Sequence, residues 1–522
     1  MSLRFHWHVR GLIAAALVFA AAASYGQDPS PNQKPQQDPL VAFQSQQVLR
    51  STTRLVIVDV VATDAKGNFV PDLKVEDFAV TEDGKPQKIS DFSVHRAGQS
   101  TQPPTALPPN VVGNNPTYNN NSCMNVILLD AINTDFSNHA YAQDMLIKYL
   151  ETGPAIQPTA VFALDGKLRM LHDFTTDTKA LRDVLAHFTP QGPTHIPDVY
   201  AAASPFSRRG SFQVTGHGRQ LTFQSFNYLA RALGGYPGRK NLLWLSEGFP
   251  LNLFPEALMG DGILQTEDYS PMVEKIADNL MESQVALYPI DAAGVSKDDR
   301  FPARTAMEAM AERTGGKTFY NRNDIDMGVR TSMDDGASYY TLEYYPANKE
   351  WNHKFRSIQV KLDRPGAKLR YRQGYYALGP SSLAAGDPSA DLSRAMDLDA
   401  PSSTSVRFLA QLVPPSAQTQ NKVMVTFAID PHTIAFQRGS DDLEHAEVNC
   451  MVWAYPGKGD PVRSEGSSTA SLKDDQYKEL MRSRFPCRRT LELKHGHYKL
   501  RLGVIDRTSN LIGSTTTEVT VP

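Results

Sequence analysis

Two carboxylates stand where a hydrolase would place them. Asp130 closes the apolar run Asn125-Val126-Ile127-Leu128-Leu129, and Asp291 closes Val285-Ala286-Leu287-Tyr288-Pro289-Ile290. Acids that end parallel strands fall on one edge of a sheet, where a pair can divide general-acid and general-base work. The simpler reading is that each caps the loop that follows it. His172 and His195 could border the same cleft, although a solvated or hydrogen-bonded surface role fits both better.

Other catalytic signatures are missing. The chain has no His-Glu-x-x-His, no Gly-x-Ser-x-Gly, no Cys-x-x-Cys and no phosphate loop ending in Gly-Lys-Ser or Gly-Lys-Thr. Gly234-Gly235-Tyr236-Pro237-Gly238-Arg239-Lys240-Asn241 looks superficially like a phosphate loop. It precedes its strand, so the helix N-terminus that would cradle a phosphate is lacking. A tight turn from helix into strand accounts for it.

The elements that must hold these residues follow from the pattern of apolar runs. Buried-strand runs at 125–130, 160–164, 168–171, 241–245 and 285–291 alternate with helical periodicity at 139–149, 178–187, 223–233, 272–284 and 303–314. This alternation predicts an α/β unit, a doubly wound and mostly parallel sheet covered on both faces. Glycine pairs Gly234-Gly235 and Gly315-Gly316 stop two of the helices. Strand-like runs at 339–345, 355–362 and 369–371 read as an antiparallel close to that unit.

Short strands at 55–63, 78–82 and 89–94, the last two joined by Asp83-Gly84-Lys85, predict a small all-β sandwich over 51–97. Strands at 423–429, 446–454, 491–493, 497–505 and 516–521 predict a second one over 405–522. Segments 98–122 and 379–404, rich in Pro, Asn, Ser, Ala and Gly, read as linkers.

The chain has 522 residues, too many for one core, and its 41% hydrophobic and 21% charged content is ordinary for a soluble protein. A net charge of −3 excludes the basic footprint of a nucleic-acid binder. Arg4 and Arg10 precede the 13-residue apolar stretch 11–23, and small residues follow. That is the layout of a secretory signal peptide over 1–26, shorter than the roughly 20 residues a spanning helix needs. A polar tether, 27–50, comes next. No later segment is apolar enough to span a membrane, so the mature chain is expected in the periplasm or outside the cell. In that oxidising setting Cys450 and Cys487 are candidates for a disulfide, the alternative being two buried thiols, and Cys123 is left over.

Several stretches resemble the bacterial VWFA-related proteins, which pair a short β-domain with a divergent von Willebrand factor A-like domain. They are Val60-Val61-Ala62-Thr63-Asp64-Ala65-Lys66-Gly67, Asp77-Phe78 with Glu82-Asp83-Gly84-Lys85, Pro237-Gly238-Arg239-Lys240-Asn241 with Trp244-Leu245-Ser246, Tyr288-Pro289-Ile290-Asp291, Thr314-Gly315-Gly316 and Arg372-Gln373-Gly374-Tyr375. The similarity runs in order over residues 50–378, which places the α/β unit at 123–378.

The resemblance implies a site for Mg²⁺ or Mn²⁺ at the carboxyl ends of the strands, built from hard oxygen ligands. Asp130 takes the first position. Ile132 stands where a serine is usual and offers no oxygen, whereas Thr134 does. Thr194 would be the loop threonine, and Glu247 replaces the usual aspartate. In the opposite reading the site is a remnant, with Asp130 as a cap and Ile132 in the core. The resemblance implies a non-enzymatic protein-binding, adhesion or scaffold role. A secreted hydrolase using strand-end carboxylates is one alternative, and a structural envelope component with no ligand at the sheet edge is another.

Overall fold

The computed structural model describes residues 55–96, 107–114, 123–154, 156–191, 205–248, 270–295, 301–352, 354–377, 388–413, 415 and 421–522. The signal-peptide and tether segments lie outside them.

The chain opens with four strands, β1 (Val56–Thr63), β2 (Phe78–Glu82), β3 (Lys85–Gln87) and β4 (Ile89–His95). The β-branched run of β1 is buried along almost its whole length, so it needs strand neighbours on both sides. A short strand, β5 (Val111–Gly113), follows.

The α/β unit comes next. Its sheet contains β6 (Met124–Asp130), β7 (Thr159–Leu164), β8 (Leu168–Thr175), β9 (Lys240–Ser246) and β10 (Val285–Asp291), in the order β10-β9-β6-β7-β8. All pairs are parallel except β7 with the edge strand β8. Among the described residues six helices surround it: α1 (Phe136–Thr152), α2 (Thr178–His187), α3 (Pro205–Leu233), α4 (Ser270–Glu282), α5 (Phe301–Thr314) and α6 (Ile325–Ala337).

Successive strand residues serve opposite faces, as the pleat requires. Val126, Leu128, Phe162 and Leu242 pack with Phe226, Leu229, Ile276 and Met307 of α3, α4 and α5. Ile127, Leu129, Val161 and Leu243 pack with Leu146, Leu185 and Val329 of α1, α2 and α6. The doubly wound, mostly parallel sheet expected from the sequence is therefore present.

The boundaries of the first unit differ from the expectation. The strands after α6 are β11 (Tyr339–Tyr344), β12 (Phe355–Leu362), β13 (Lys368–Arg370) and β14 (Gly374–Tyr376). They do not close the α/β sheet. They complete the N-terminal strands in two four-stranded sheets, ordered β13-β1-β11-β4 and β14-β12-β2-β3. Val58 pairs with Leu342 and Val80 with Val360. The two sheets share one core of Val58, Val60, Phe78, Tyr340, Leu342, Tyr344 and Ile358. Residues 51–97 are thus half of a unit, and 339–377 belong with them rather than with the α/β sheet. The physical reason is that β1 and β2 alone leave long apolar faces and ladder edges unpaired. The α/β unit is inserted between the two halves.

The C-terminal unit also reaches further than expected. It comprises α7 (Pro388–Ala395), β15 (Phe408–Val413), β16 (Lys422–Ile429), β17 (Gln437–Arg438), β18 (Glu444–Pro456), β19 (Val462–Leu472), α8 (Asp474–Leu480), β20 (Phe485–Glu492), β21 (Gly496–Asp506) and β22 (Ile512–Val521). Its sheets are β20-β16-β15-β5 and β17-β18-β21-β22, with β19 on the outer side of β18. β5, which falls within the expected first linker, is an edge strand here, with Val112 opposite Ala410.

The expected second linker is structured from Pro388 onward. Ala395, Met396 and Ala400 are buried. The buried Arg501 side chain donates to the carbonyls of Ala395 at 2.8 Å and Pro401 at 2.7 Å. Met170 N donates to Asp399 O at 2.6 Å, which ties this segment to the edge strand β8. A small-residue composition that reads as linker can also read as a tight-packing strap, and composition alone does not separate the two.

Candidate functional site

The parallel register sets the site. Leu129 pairs with Leu245 and Asp291 with Ser246, so Asp130, Ser246 and Asp291 end neighbouring strands on one edge. The strand order reverses at β6, and open α/β sheets hold ligands in the crevice beyond the carboxyl ends at such a point.

Asp130 is fully buried and fully bonded. Its Oδ1 accepts from Ile132 N at 3.1 Å and Asn133 N at 3.0 Å. Its Oδ2 accepts from Asn133 Nδ2 at 2.7 Å, Trp244 Nε1 at 2.9 Å and Ser246 Oγ at 3.1 Å. Burial pushes its carboxyl above the ordinary range, and the bonds from Asn133, Trp244 and Ser246 oppose that shift. Five donors meet an acceptor with about four lone-pair sites.

Thr134 and Glu247 lie in the same cluster. Glu247 N donates to Thr134 Oγ1 at 3.3 Å, and Glu247 Oε1 accepts from Asp135 N at 2.8 Å and Asn138 Nδ2 at 2.7 Å. Glu247 thereby spans the start of α1. Ile132 is in the apolar core. Thr194 and His195 lie outside the described residues.

Among the described ligand positions, Asp130 as placed does not fit Mg²⁺ or Mn²⁺. A coordinating carboxylate must turn at least one lone pair to the ion, and here an indole and an amide already take those on Oδ2.

The other acids of this edge are also engaged. Asp291 Oδ1 accepts from Ala293 N at 3.0 Å, and its Oδ2 faces Arg304 at 3.7 Å. Asp165, just beyond β7, accepts from Arg169 Nε and from Gln191 N, both at 2.9 Å. His172 lies on β8, its Nδ1 against Asp173 O at 2.6 Å. The strand-end acids therefore act as loop and helix anchors. The Gly234–Asn241 stretch forms the turn from α3 into β9, with Gly238 at φ 71°.

Around this node exposed apolar side chains alternate with charged ones: Arg304 lies over the Tyr320 ring at 5.6 Å, and Arg322 pairs with Asp324 at 2.7 Å. Phe136, Tyr141, Val295, Tyr320 and Met327 are five of the eleven large apolar side chains exposed among the described residues. Phe136 and Val295 are 61% and 65% exposed. Asn323 links their elements, accepting from Tyr141 Oη at 2.8 Å and Val295 N at 3.0 Å.

Sequence reasoning placed Asp130, Thr134 and Glu247 together but missed Trp244, Asn133 and Asn138. Nothing in a buried-strand run signals that one indole turns its N–H to the neighbouring strand's end.

The sheet has an antiparallel edge strand beside four parallel ones. Several solved structures are similar to parts of the chain. An aerotolerance-related membrane protein from Bacteroides fragilis matches at 12% identity over 41% of this chain and 98% of that one, with a TM-score of 0.26. A von Willebrand factor type A protein from Catenulispora acidiphila matches at 9% identity over 83% and 74%, with a TM-score of 0.25. The vWF domain of a type V pili tip protein from Porphyromonas gingivalis matches at 12% identity over 41% and 96%, with a TM-score of 0.21. No family model and no curated protein matches the chain.

Proposed function

We propose that this chain is an exported, non-enzymatic scaffold that binds a protein partner at the carboxyl edge of its von Willebrand A-like unit, without a metal ion. The observation that carries the reading is the exposed apolar group Phe136, Tyr141, Val295, Tyr320 and Met327 beside a saturated Asp130. Exposed aromatic and aliphatic side chains suit burial against a protein. Asp130, whose oxygens are already taken by protein donors, does not suit hydrolysis.

Two β-sandwich supports flank the binding unit in this reading. Export is supported by the leader-like sequence 1–26 and by the Cys450–Cys487 disulfide, since such bridges persist in oxidising compartments. No helix among the described residues is long and apolar enough to cross a membrane.

Cross-linking in the envelope of the source cell, with the double variant Phe136→Ser and Val295→Ser, tests the reading. Loss of the cross-linked species in the variant and its persistence in EDTA are expected. A cross-linked species abolished by EDTA, or unchanged in the variant, overturns it.

A further inference from the structure

On the outer face of the C-terminal unit, three side chains form a relay far from the binding edge. His445 lies on β18, next to the core residue Ala446 and pointing the other way. Its strand partners are Gln437 of β17 on one side and Ser471 of β19 on the other. Directly paired residues on neighbouring strands carry their side chains on the same face. Ser471 Oγ stands 3.0 Å from His445 Nδ1. The other ring nitrogen, Nε2, lies 2.9 and 3.0 Å from the two carboxylate oxygens of Asp441.

The loop that joins β17 to β18 holds Asp441 in place. Gly439 N donates to Leu443 O at 2.9 Å, Asp442 N to Gly439 O at 3.2 Å, and Leu443 N to Asp441 Oδ1 at 3.2 Å. Asp442 takes a left-handed φ of 65° within this turn. Gly439 lies against the pair. A Cβ there would come within 2.5 Å of Asp441 Oδ1 and 2.7 Å of His445 Nε2. The bare backbone at 439 is what lets ring and carboxylate meet.

The carboxylate fixes the protons of the ring. Ionised Asp441 only accepts, so Nε2 carries the hydrogen, and that bond from His445 holds the Asp441 carboxyl below its ordinary range. In the neutral ring Nδ1 then offers its lone pair, and the Ser471 hydroxyl donates to it. Nucleophile, base and orienting acid stand in the order that activates a serine.

We propose that Ser471 is an acyl-acceptor site, activated by His445 and Asp441, that takes one short acyl group from an activated ester. Ser471 Oγ attacks the acyl carbon while its proton passes to His445 Nδ1. The Oγ–C bond forms, the bond from that carbon to the ester's leaving oxygen breaks, and the proton departs on that oxygen. Ser471 and Asp441 are both exposed, whereas oxyanion stabilisation is strong only where water is excluded. The outcome is one modification per chain and not turnover, which leaves the scaffold reading as it stands.

The test treats the full mature chain with p-nitrophenyl acetate at neutral pH and follows acetylation by intact mass and peptide mapping. One acetyl group on Ser471 is expected, released with one equivalent of p-nitrophenol. His445→Gln should slow labelling of Ser471 by about 100-fold, the low end of what a placed general base supplies. Asp441→Asn should slow it as well, since the ring loses its fixed tautomer. The three side chains lie outside the core, so these variants keep the fold, and circular dichroism verifies it. Acetylation confined to amino groups, or Ser471 labelled at the same rate in His445→Gln, overturns the proposal and leaves the three residues as a clasp on the hairpin.

Discussion

The indole Nε1 of Trp244 donates to Oδ2 of Asp130 at 2.9 Å, joining the middle of β9 to the end of β6 inside the sheet. An acid that would otherwise face a crevice is instead part of the wall. The first prediction concerns this bond. Trp244→Phe keeps most of the ring volume but removes one donor to a buried carboxylate, which should cost about 1–3 kcal/mol. Urea unfolding of the variant against wild type measures it, and an unchanged midpoint would refute the lock.

The second prediction is the matching metal experiment. Calorimetric titration of Mg²⁺ and Mn²⁺ into the metal-stripped mature chain should give no binding heat. Heat that disappears in Asp130→Ala would mean that the five donors yield to an ion and that the partner is captured through metal.

A third prediction rests on the C-terminal sheets. Cys450 on β18 and Cys487 on β20 form a disulfide across the shared core, with Cα atoms 6.6 Å apart and a sequence separation of 37. Closing a loop of that length stabilises by about 4 kcal/mol in the chain-entropy account. Reduction, or the double serine variant, should lower the melting temperature of this unit. Cys123 is buried, its thiol pushed up to about 12 by desolvation, so it should resist alkylation until the protein unfolds.

Lys240 gives a pH dependence with a definite sign. Burial lowers its ammonium to about 7 in the folded chain, below its unfolded value of about 10.4. Between those two values the unfolded state binds the extra proton, so stability rises with pH across that window. The slope approaches about 1.4 kcal/mol per pH unit. Lys240→Met should flatten the slope and raise stability at neutral pH. Urea midpoints from pH 6 to 10 report both.

The inserted topology yields a fifth prediction. A fragment of residues 51–97 should be unfolded by circular dichroism, because β1 and β2 find their partners in β11 and β12. In the intact unit Glu82 is buried and accepts from Tyr344 Oη at 2.8 Å, Tyr375 Oη at 2.9 Å and Arg356 Nη1 at 3.3 Å. Arg356→Met strands that carboxylate and should cost about 3–5 kcal/mol.

The sequence by itself determined the α/β unit, because apolar runs and helical periodicity record burial on two faces directly. It also placed Asp130 and Asp291 on one edge, since strand ends follow from strand runs, while Thr134 and Glu247 came from the resemblance. Which strands pair was beyond it: β11 and β12 read equally well as the close of the preceding sheet, and only the apolar faces of β1 and β2, some 280 residues earlier, decide their place. The state of Asp130 was likewise a tertiary matter. Ligand identity is written in residue types, but whether a lone pair is left for an ion depends on where the Trp244 and Asn133 donors point, and that is settled by packing between strands distant in sequence.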